Sequence, residues 1–367
     1  MLDSDKCEAT TSVREDGNPV VSAIMFLGGL VGNLLALAIL GVHRKERRTK
    51  TSVFYILVTG LAVTDLLGTC VLSPPVFVSY AYNSSLVGLT GGMHLCGLFA
   101  FCMTFFGLAS VLILFAMAVE RCLAISHPYF YSKRVRRGFA KPALLLIYLL
   151  TFAFCLLPFF GFGEHKQYCP GTWCFIKMEA GERAAAGQPH TLAYSLSYAS
   201  IMALLIASIF LCNGSVIVSL CRMHRSQVTR RGSAQSSGRK KKMGSWFGQG
   251  EEEVDHLVLL ASMTVIFIIF SLPLTICGFV SAITTSGTDD LNLMAFRFSA
   301  LNPIVDPWVF ILFRKAVFRH LRRLLCCRLP RRAVKTTAQT ALSLPLEATE
   351  VRHPSTLQNK IYSSLQL

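Results

Sequence analysis

The feature that most constrains this chain is a series of seven apolar segments, each long enough to cross a bilayer. They run roughly over residues 20–42, 52–80, 96–126, 142–163, 191–221, 256–285 and 291–313. An α-helix rises about 1.5 Å per residue, so about 20 apolar residues span a hydrocarbon core of about 30 Å. None of the segments shows the two-residue alternation of a transmembrane β-barrel. The expected fold is an all-α membrane protein, a seven-transmembrane helix bundle. The composition agrees, being 53% hydrophobic and only 15% charged with a mean hydropathy of +0.51, too apolar for a soluble domain.

A net charge of +16 would suit a nucleic-acid partner, but its distribution argues against one. Lys and Arg collect in alternate gaps: Arg44 to Lys50, Lys133 to Lys141, Arg222 to Lys242, and the stretch from Arg314 to Arg332. The other gaps hold only Lys6, Arg14, Lys166, Lys177 and Arg183. By the positive-inside rule the N-terminus lies outside and the C-terminus inside, as expected of a multi-pass plasma-membrane protein. The expected organisation is an extracellular N-terminus over 1–19, the membrane domain over 20–313, a membrane-surface helix over 314–327 and a cytoplasmic tail over 328–367. The first 19 residues are polar and the first apolar run is long enough to span, so a signal anchor is expected rather than a cleaved signal peptide. Asn83, in the sequon Asn83-Ser84-Ser85 of an outer gap, is a candidate glycosylation acceptor. Asn213, within the fifth segment, is expected to be silent.

Of the thirteen cysteines, Cys7, Cys96, Cys169 and Cys174 fall outside, where disulfides persist. Four cysteines allow three pairings, and spacing alone does not choose among them. Cysteines within the spans read as small core residues. Cys326 and Cys327 follow a basic amphipathic stretch in which Phe313, Val317, Leu321 and Leu324 share a face. That pattern predicts a short helix on the inner leaflet, with the cysteine pair as candidate palmitoylation sites. Residues 223–250 and the tail beyond 328 read as polar, flexible cytoplasmic segments.

Polar groups within the spans demand reasons, because a charge at the bilayer centre costs about 2.5–3.5 kcal/mol on insertion scales. Asp65, Ser110, Asn302, Asp306 and Asn33 are either hydrogen-bonded glue between helices or a protonation switch or small cation site, with sodium the candidate at Asp65. Glu120 and Arg121 end the third span. Arg121 either snorkels to headgroups or pairs with Glu253 at the start of the sixth, and such a pair would be a breakable two-state element. Pro273, Pro303 and Pro307 remove backbone donors and mark bends.

Arg297 is the least explained charge. It lies about 9 Å below the outer end of the seventh segment by helical rise, between Phe296 and Phe298, with its nearest acids, Asp289 and Asp290, at the mouth of the span. Snorkelling is the plain account. A buried guanidinium without a protein carboxylate otherwise calls for an exogenous one, bound through a bidentate pair. An amphiphilic carboxylic acid in an apolar cavity fits that chemistry.

An outer cysteine heading the third span, Glu120-Arg121 at its foot, and Asp306-Pro307-Trp308-Val309-Phe310 in the seventh together resemble the rhodopsin-like G-protein-coupled receptors. The Asp-Pro form, the string QYCPGTWCF over 167–175 and the Arg in AFRF resemble the prostanoid receptors. Longer stretches over 103–129, 209–225, 251–265 and 293–318 are similar to the prostacyclin-binding branch of that family. The resemblance implies that Arg297 binds a prostanoid carboxylate, with Tyr80 and Thr172 as hydrogen-bonding partners. It likewise implies that Phe99 and Phe296 belong to the pocket and Trp173 to its lid. It pairs Cys96 with Cys174 and Cys7 with Cys169, and it implies coupling to a stimulatory heterotrimeric G protein, with a rise in cyclic AMP. Arrestin, receptor kinases and membrane lipids are implied as further partners. No cofactor is implied.

There are departures from the wider pattern. No Trp precedes Pro273, the fourth span has no Trp, and Cys122 stands where many receptors have Tyr; the prostanoid branch shares these. The final SSLQL lacks a CaaX signal, so prenylation is not implied. Receptors for prostaglandin E or D are the alternatives within the family, and a transporter of organic anions is the alternative outside it. An enzyme would need a nucleophile and base or a metal set at membrane depth, and a retinal protein would need a Lys in the last span; neither pattern is present.

Overall fold

The apolar segments form α-helices in the computed structural model, which describes residues 7–14, 17–46, 52–134, 137–178, 189–234, 247–283 and 289–312. In chain order the elements are α1 (Pro19–Glu46), α2 (Val53–Tyr82), α3 (Leu86–Thr90), α4 (Met93–Ser126), α5 (Pro128–Arg134), α6 (Ala140–Leu156), β1 (His165–Tyr168), β2 (Trp173–Ile176), α7 (Pro189–Ala234), α8 (Phe247–Ile283), α9 (Asp289–Ala300) and α10 (Asn302–Leu312). Six of these helices are long and apolar enough to cross a membrane. The seventh segment is divided between α9 and α10.

The division follows from proline chemistry. Pro303 has no N–H to give, and its ring disfavours helical backbone at the residue before it. At the junction Leu301 donates three residues back to Phe298 O at 3.1 Å, and Leu301 O receives both Ile304 N (3.1 Å) and Val305 N (2.9 Å). Asn33 ties α1 to the start of α10: its amide donates to Gly29 O in its own helix and to Pro303 O, each at 2.9 Å. The Trp308 indole donates to Gly28 O at 3.3 Å. A Cβ on Gly32 would stand 2.8 Å from Trp308 Nε1 and 3.0 Å from Pro307 Cγ, so the close approach of α1 and α10 requires glycine there.

α4 is the central post. It packs against α2, α6, α7 and α8 and against the β1–β2 hairpin, while α1 closes the ring against α2 and α10. Ile113, Met117 and Ala118 of α4 are inaccessible to solvent and join a core with Leu57, Ile209, Met263 and Phe267. The opposite faces are inverted relative to a soluble protein: Leu145, Leu149, Leu204 and Phe210 are all more than half exposed. A belt of this kind is stable only where lipid covers it, and the chain is a multi-pass membrane protein.

Two helices run further than sequence reasoning expects. The segment 223–250 reads as a flexible loop, yet α7 continues to Ala234 and α8 begins at Phe247. Arg, Met, Gln and Ala in this stretch are good helix formers, so a helix already nucleated in the bilayer propagates past its edge. The stretch 314–327, Cys326, Cys327 and the tail lie outside the described residues.

Candidate functional site

At the disulfide-bearing end of the bundle, β1 and β2 form an antiparallel hairpin with Gln167 opposite Cys174 and Tyr168 opposite Trp173. Cys96–Cys174 fastens β2 to the head of α4, and Cys7–Cys169 fastens the N-terminal segment to the hairpin. Gln167 is wholly buried; its amide donates to Cys7 O (2.9 Å) and Thr10 O (3.1 Å), and its Oε1 accepts Val87 N (2.9 Å). Lys177 lies 3.3 Å from Glu8 and 3.5 Å from Glu164. Burial pulls the Lys177 ammonium pKa down, but the two carboxylates outweigh it and hold the pKa above its usual value. His165, half-buried beside Phe159, is pushed down to about 4 by desolvation and is neutral at ordinary pH. The turn between the strands needs Gly171 (φ 100°), whose Cβ would meet Ser85 Cβ at 3.0 Å.

Beneath this lid lies a cavity of about 160 Å³. Phe99, Met103, Trp173, Phe175, Tyr198 and Phe267 wall its apolar part, and Asp65, Ser110, Ser271, Asn302 and Asp306 form its polar floor. Chambers of this kind, apolar with a few convergent polar groups, suit a small amphiphile. Of the residues singled out in the sequence, Phe99 and Trp173 line the cavity and meet edge to face with centroids 6.5 Å apart. Phe296 lies one layer back, buried against Tyr168 (4.7 Å) and Phe175 (5.0 Å). Tyr80 packs on the Val76–Leu86–Phe99 cluster. Thr172 is fully buried in the hairpin turn, and its hydroxyl has no partner among the described residues.

Arg297 is half-buried on α9 and is not a wall of the cavity, although Ser299 and Ala300, just beyond it, are. Among the described residues it makes no hydrogen bond or ion pair. Sequence reasoning missed Phe175, Tyr198, Phe267 and Ser271. Only Ser271, two residues before Pro273, carried a signal, and the aromatics are indistinguishable in sequence from ordinary core.

On the floor Ser110 donates to Asp65 Oδ1 at 2.6 Å and Asn302 donates to Ser271 Oγ at 2.8 Å. Asp65 Oδ2, both Asp306 oxygens and Asn302 Oδ1 have no partner among the described residues. Two carboxylates only 2% exposed require a proton, a water or a cation between them. The donors are all oxygens, which suits a hard cation such as sodium rather than a transition metal.

At the other end of α4, Arg121 forms a fork on its neighbour Glu120, with Nε–Oε2 at 2.5 Å and Nη2–Oε1 at 2.7 Å. Tyr131 of α5 donates to the same Glu120 at 2.5 Å. Burial and that carboxylate push the Tyr131 phenol above its ordinary pKa. The Arg121 guanidinium also lies 4.7 Å over the Phe54 ring. Glu253 stands in α8, but its side chain is outside the described residues; the partner described for Arg121 is Glu120. Nearby, Ser126 meets Ser219 at 3.0 Å and Asn213 donates to Thr264 at 2.5 Å, joining α4, α7 and α8.

The chain matches the family model of the seven-transmembrane receptors of the rhodopsin family over residues 32–310. It is 54% identical to the prostacyclin receptor of Rattus norvegicus over 356 residues, covering 96% of this chain and 81% of that protein. Against the prostacyclin receptor of Homo sapiens it is 54% identical, over 88% of this chain and 80% of the relative. Against the human prostaglandin E2 receptor EP2 subtype it is 43% identical, over 95% and 96%. Squid rhodopsin shares the fold, with a TM-score of 0.65 at 16% identity over 88% of this chain and 86% of that one.

Proposed function

Because the chain belongs to the rhodopsin family of seven-transmembrane receptors and, within it, to the prostanoid receptors, we propose that it is a receptor for prostacyclin that activates the stimulatory G protein and raises cyclic AMP. Membership makes it a receptor and not an enzyme, with a lipid ligand and a heterotrimeric G protein as partners. The prostacyclin assignment draws support from 54% identity to prostacyclin receptors against 43% to a prostaglandin E2 receptor. One observation carries the ligand chemistry: Arg297, a cation without a described protein partner, stands beside an apolar cavity capped by an aromatic lid.

In this reading the prostanoid carboxylate is held by Arg297 with Tyr80 and Thr172, while Phe99, Trp173 and Phe296 shape the pocket for its hydrocarbon. The disulfide end is extracellular, with Asn83, exposed at the left-handed C-cap of α2, as its glycan acceptor. The Arg121 end is cytoplasmic, with Cys326 and Cys327 palmitoylated and the tail read by receptor kinases and arrestin. Agonist favours a state in which Arg121 leaves its resting partners and the inner ends of α4 and α8 separate. The Asp65–Ser110–Asn302–Asp306 floor, with Pro273 as a hinge above it, relays the change and exchanges sodium or a proton on the way.

Competition of a radiolabelled stable prostacyclin analogue against prostaglandins E2 and D2, with cyclic AMP as readout, tests the assignment. The analogue should bind at least tenfold more tightly than either prostaglandin and raise cyclic AMP. Preference for prostaglandin E2 would transfer the assignment to the alternative that the 43% identical relative supports.

A further inference from the structure

The resting seat of Arg121 involves a residue from another helix. The Glu120 pair joins two adjacent residues of α4 and therefore cannot hold the guanidinium against the rest of the bundle. Among the described residues, the contact that does so is the Phe54 ring of α2, 4.7 Å from Arg121 Cζ. Both side chains are sheltered, Phe54 at 3% and Arg121 at 9% exposure. Phe54 is the second residue of α2, and the turn carrying it is fixed by Ser52, whose hydroxyl accepts Tyr55 N and whose carbonyl accepts Ile56 N, each at 3.3 Å. An aromatic face attracts a cation through its quadrupole, and the attraction is strongest where water is excluded.

We propose that Phe54 is a positioning residue for Arg121: its ring face holds the guanidinium in the resting position, and the strength of that contact sets how much receptor is active without ligand. The inference rests on the reading that Arg121 is released on activation. Glu120 neutralises the charge and Tyr131 anchors Glu120 to α5, but neither ties the guanidinium to α2. The role belongs to the ring's electrons and not to its bulk. Weakening the negative face at constant shape should therefore shift the resting equilibrium, whereas a packing residue would be indifferent.

The test places mono-, di- and trifluorophenylalanine site-specifically at position 54 of the full chain in lipid nanodiscs. Ligand-free nucleotide exchange is then read on a panel of heterotrimeric G proteins, so failure of the prostacyclin assignment leaves the result readable. Exchange should rise stepwise with fluorination, reaching about tenfold for the trifluoro ring. Phe54→Leu should fall at the high end of the series and Phe54→Trp below the native rate, a pair of opposite signs that loss of packing does not produce. Glu120→Gln, which loosens Arg121 independently of the ring, reports on release itself. A flat fluorination series beside an activating Glu120→Gln overturns the role of Phe54 alone. A flat series beside an inert Glu120→Gln overturns release as the switch, and the proposal with it.

Discussion

Replacing Gln167 with Leu should loosen the lid without emptying the space the side chain fills. Three hydrogen bonds are lost, to Cys7 O, Thr10 O and Val87 N. The two carbonyls keep other donors: Thr10 Oγ1 reaches Cys7 O at 3.1 Å and Ser85 Oγ reaches Thr10 O at 2.6 Å. Their loss is thus the ordinary net value of a hydrogen bond, about 1 kcal/mol each. The Val87 amide is different, because it belongs to the first turn of α3, where no intrahelical acceptor exists. Stranding it adds about 1–3 kcal/mol. The sum, about 3–5 kcal/mol, falls on the junction of the hairpin, the N-terminal segment and α3, and corresponds to at least roughly 100-fold in the opening equilibrium of that unit. Amide hydrogen exchange read by mass spectrometry over 165–178 should accelerate by about that factor, while peptides from the middle of α4 stay unchanged. Acceleration of less than about threefold would refute the view that this one buried amide ties the lid together.

Other perturbations give equally definite outcomes. His165 is depressed from 6.5 to about 4, so its neutral form favours the fold. That contribution is complete above pH 6.5 and is lost as pH falls towards 4, at about 1.4 kcal/mol per pH unit. Thermal midpoints between pH 7 and 4.5 should drop more steeply in the native protein than in His165→Leu, and parallel curves would contradict the burial argument. Gly32→Ala, whose Cβ would meet Trp308 and Pro307 at 2.8 and 3.0 Å, should cost about 1–3 kcal/mol and lower the midpoint. Gly41→Ala, with nothing within 4 Å, should leave it unchanged or raise it. If the floor holds sodium, added sodium chloride should weaken agonist binding in the native receptor relative to a choline control; Asp65→Asn should remove that difference, and an undiminished sodium effect would count against the site.

What was legible in the sequence divides along physical lines. Helices in lipid must satisfy every backbone group internally, so length and hydropathy alone located the six long spanning helices, and Pro303 and Pro307 announced the bend in the seventh segment. What they did not announce is that Asn33 reaches across from α1 to Pro303 O beside the break, a contact 270 residues distant in sequence. The relation of Glu120 to Arg121 was also hidden. Opposite charges on adjacent residues of a helix do not ordinarily face each other, so the sequence points to Glu253, whose side chain lies outside the described residues, and does not announce the fork that the long Arg121 side chain makes on its neighbour. Arg297 stood out because a charge in an apolar run is rare. Phe175 and Tyr198 did not, because among 26 Phe and 10 Tyr nothing marks the few that wall a cavity.

The central claim is that Arg297 receives the ligand's carboxylate. Binding of a stable prostacyclin analogue and of its methyl ester, each to the native receptor and to Arg297→Gln, tests it most directly. A charge-assisted pair contributes about 1.5–3 kcal/mol, so the native receptor should prefer the acid by at least about tenfold and the variant should bind acid and ester within about threefold of each other. A variant that keeps the full preference for the acid would contradict the account.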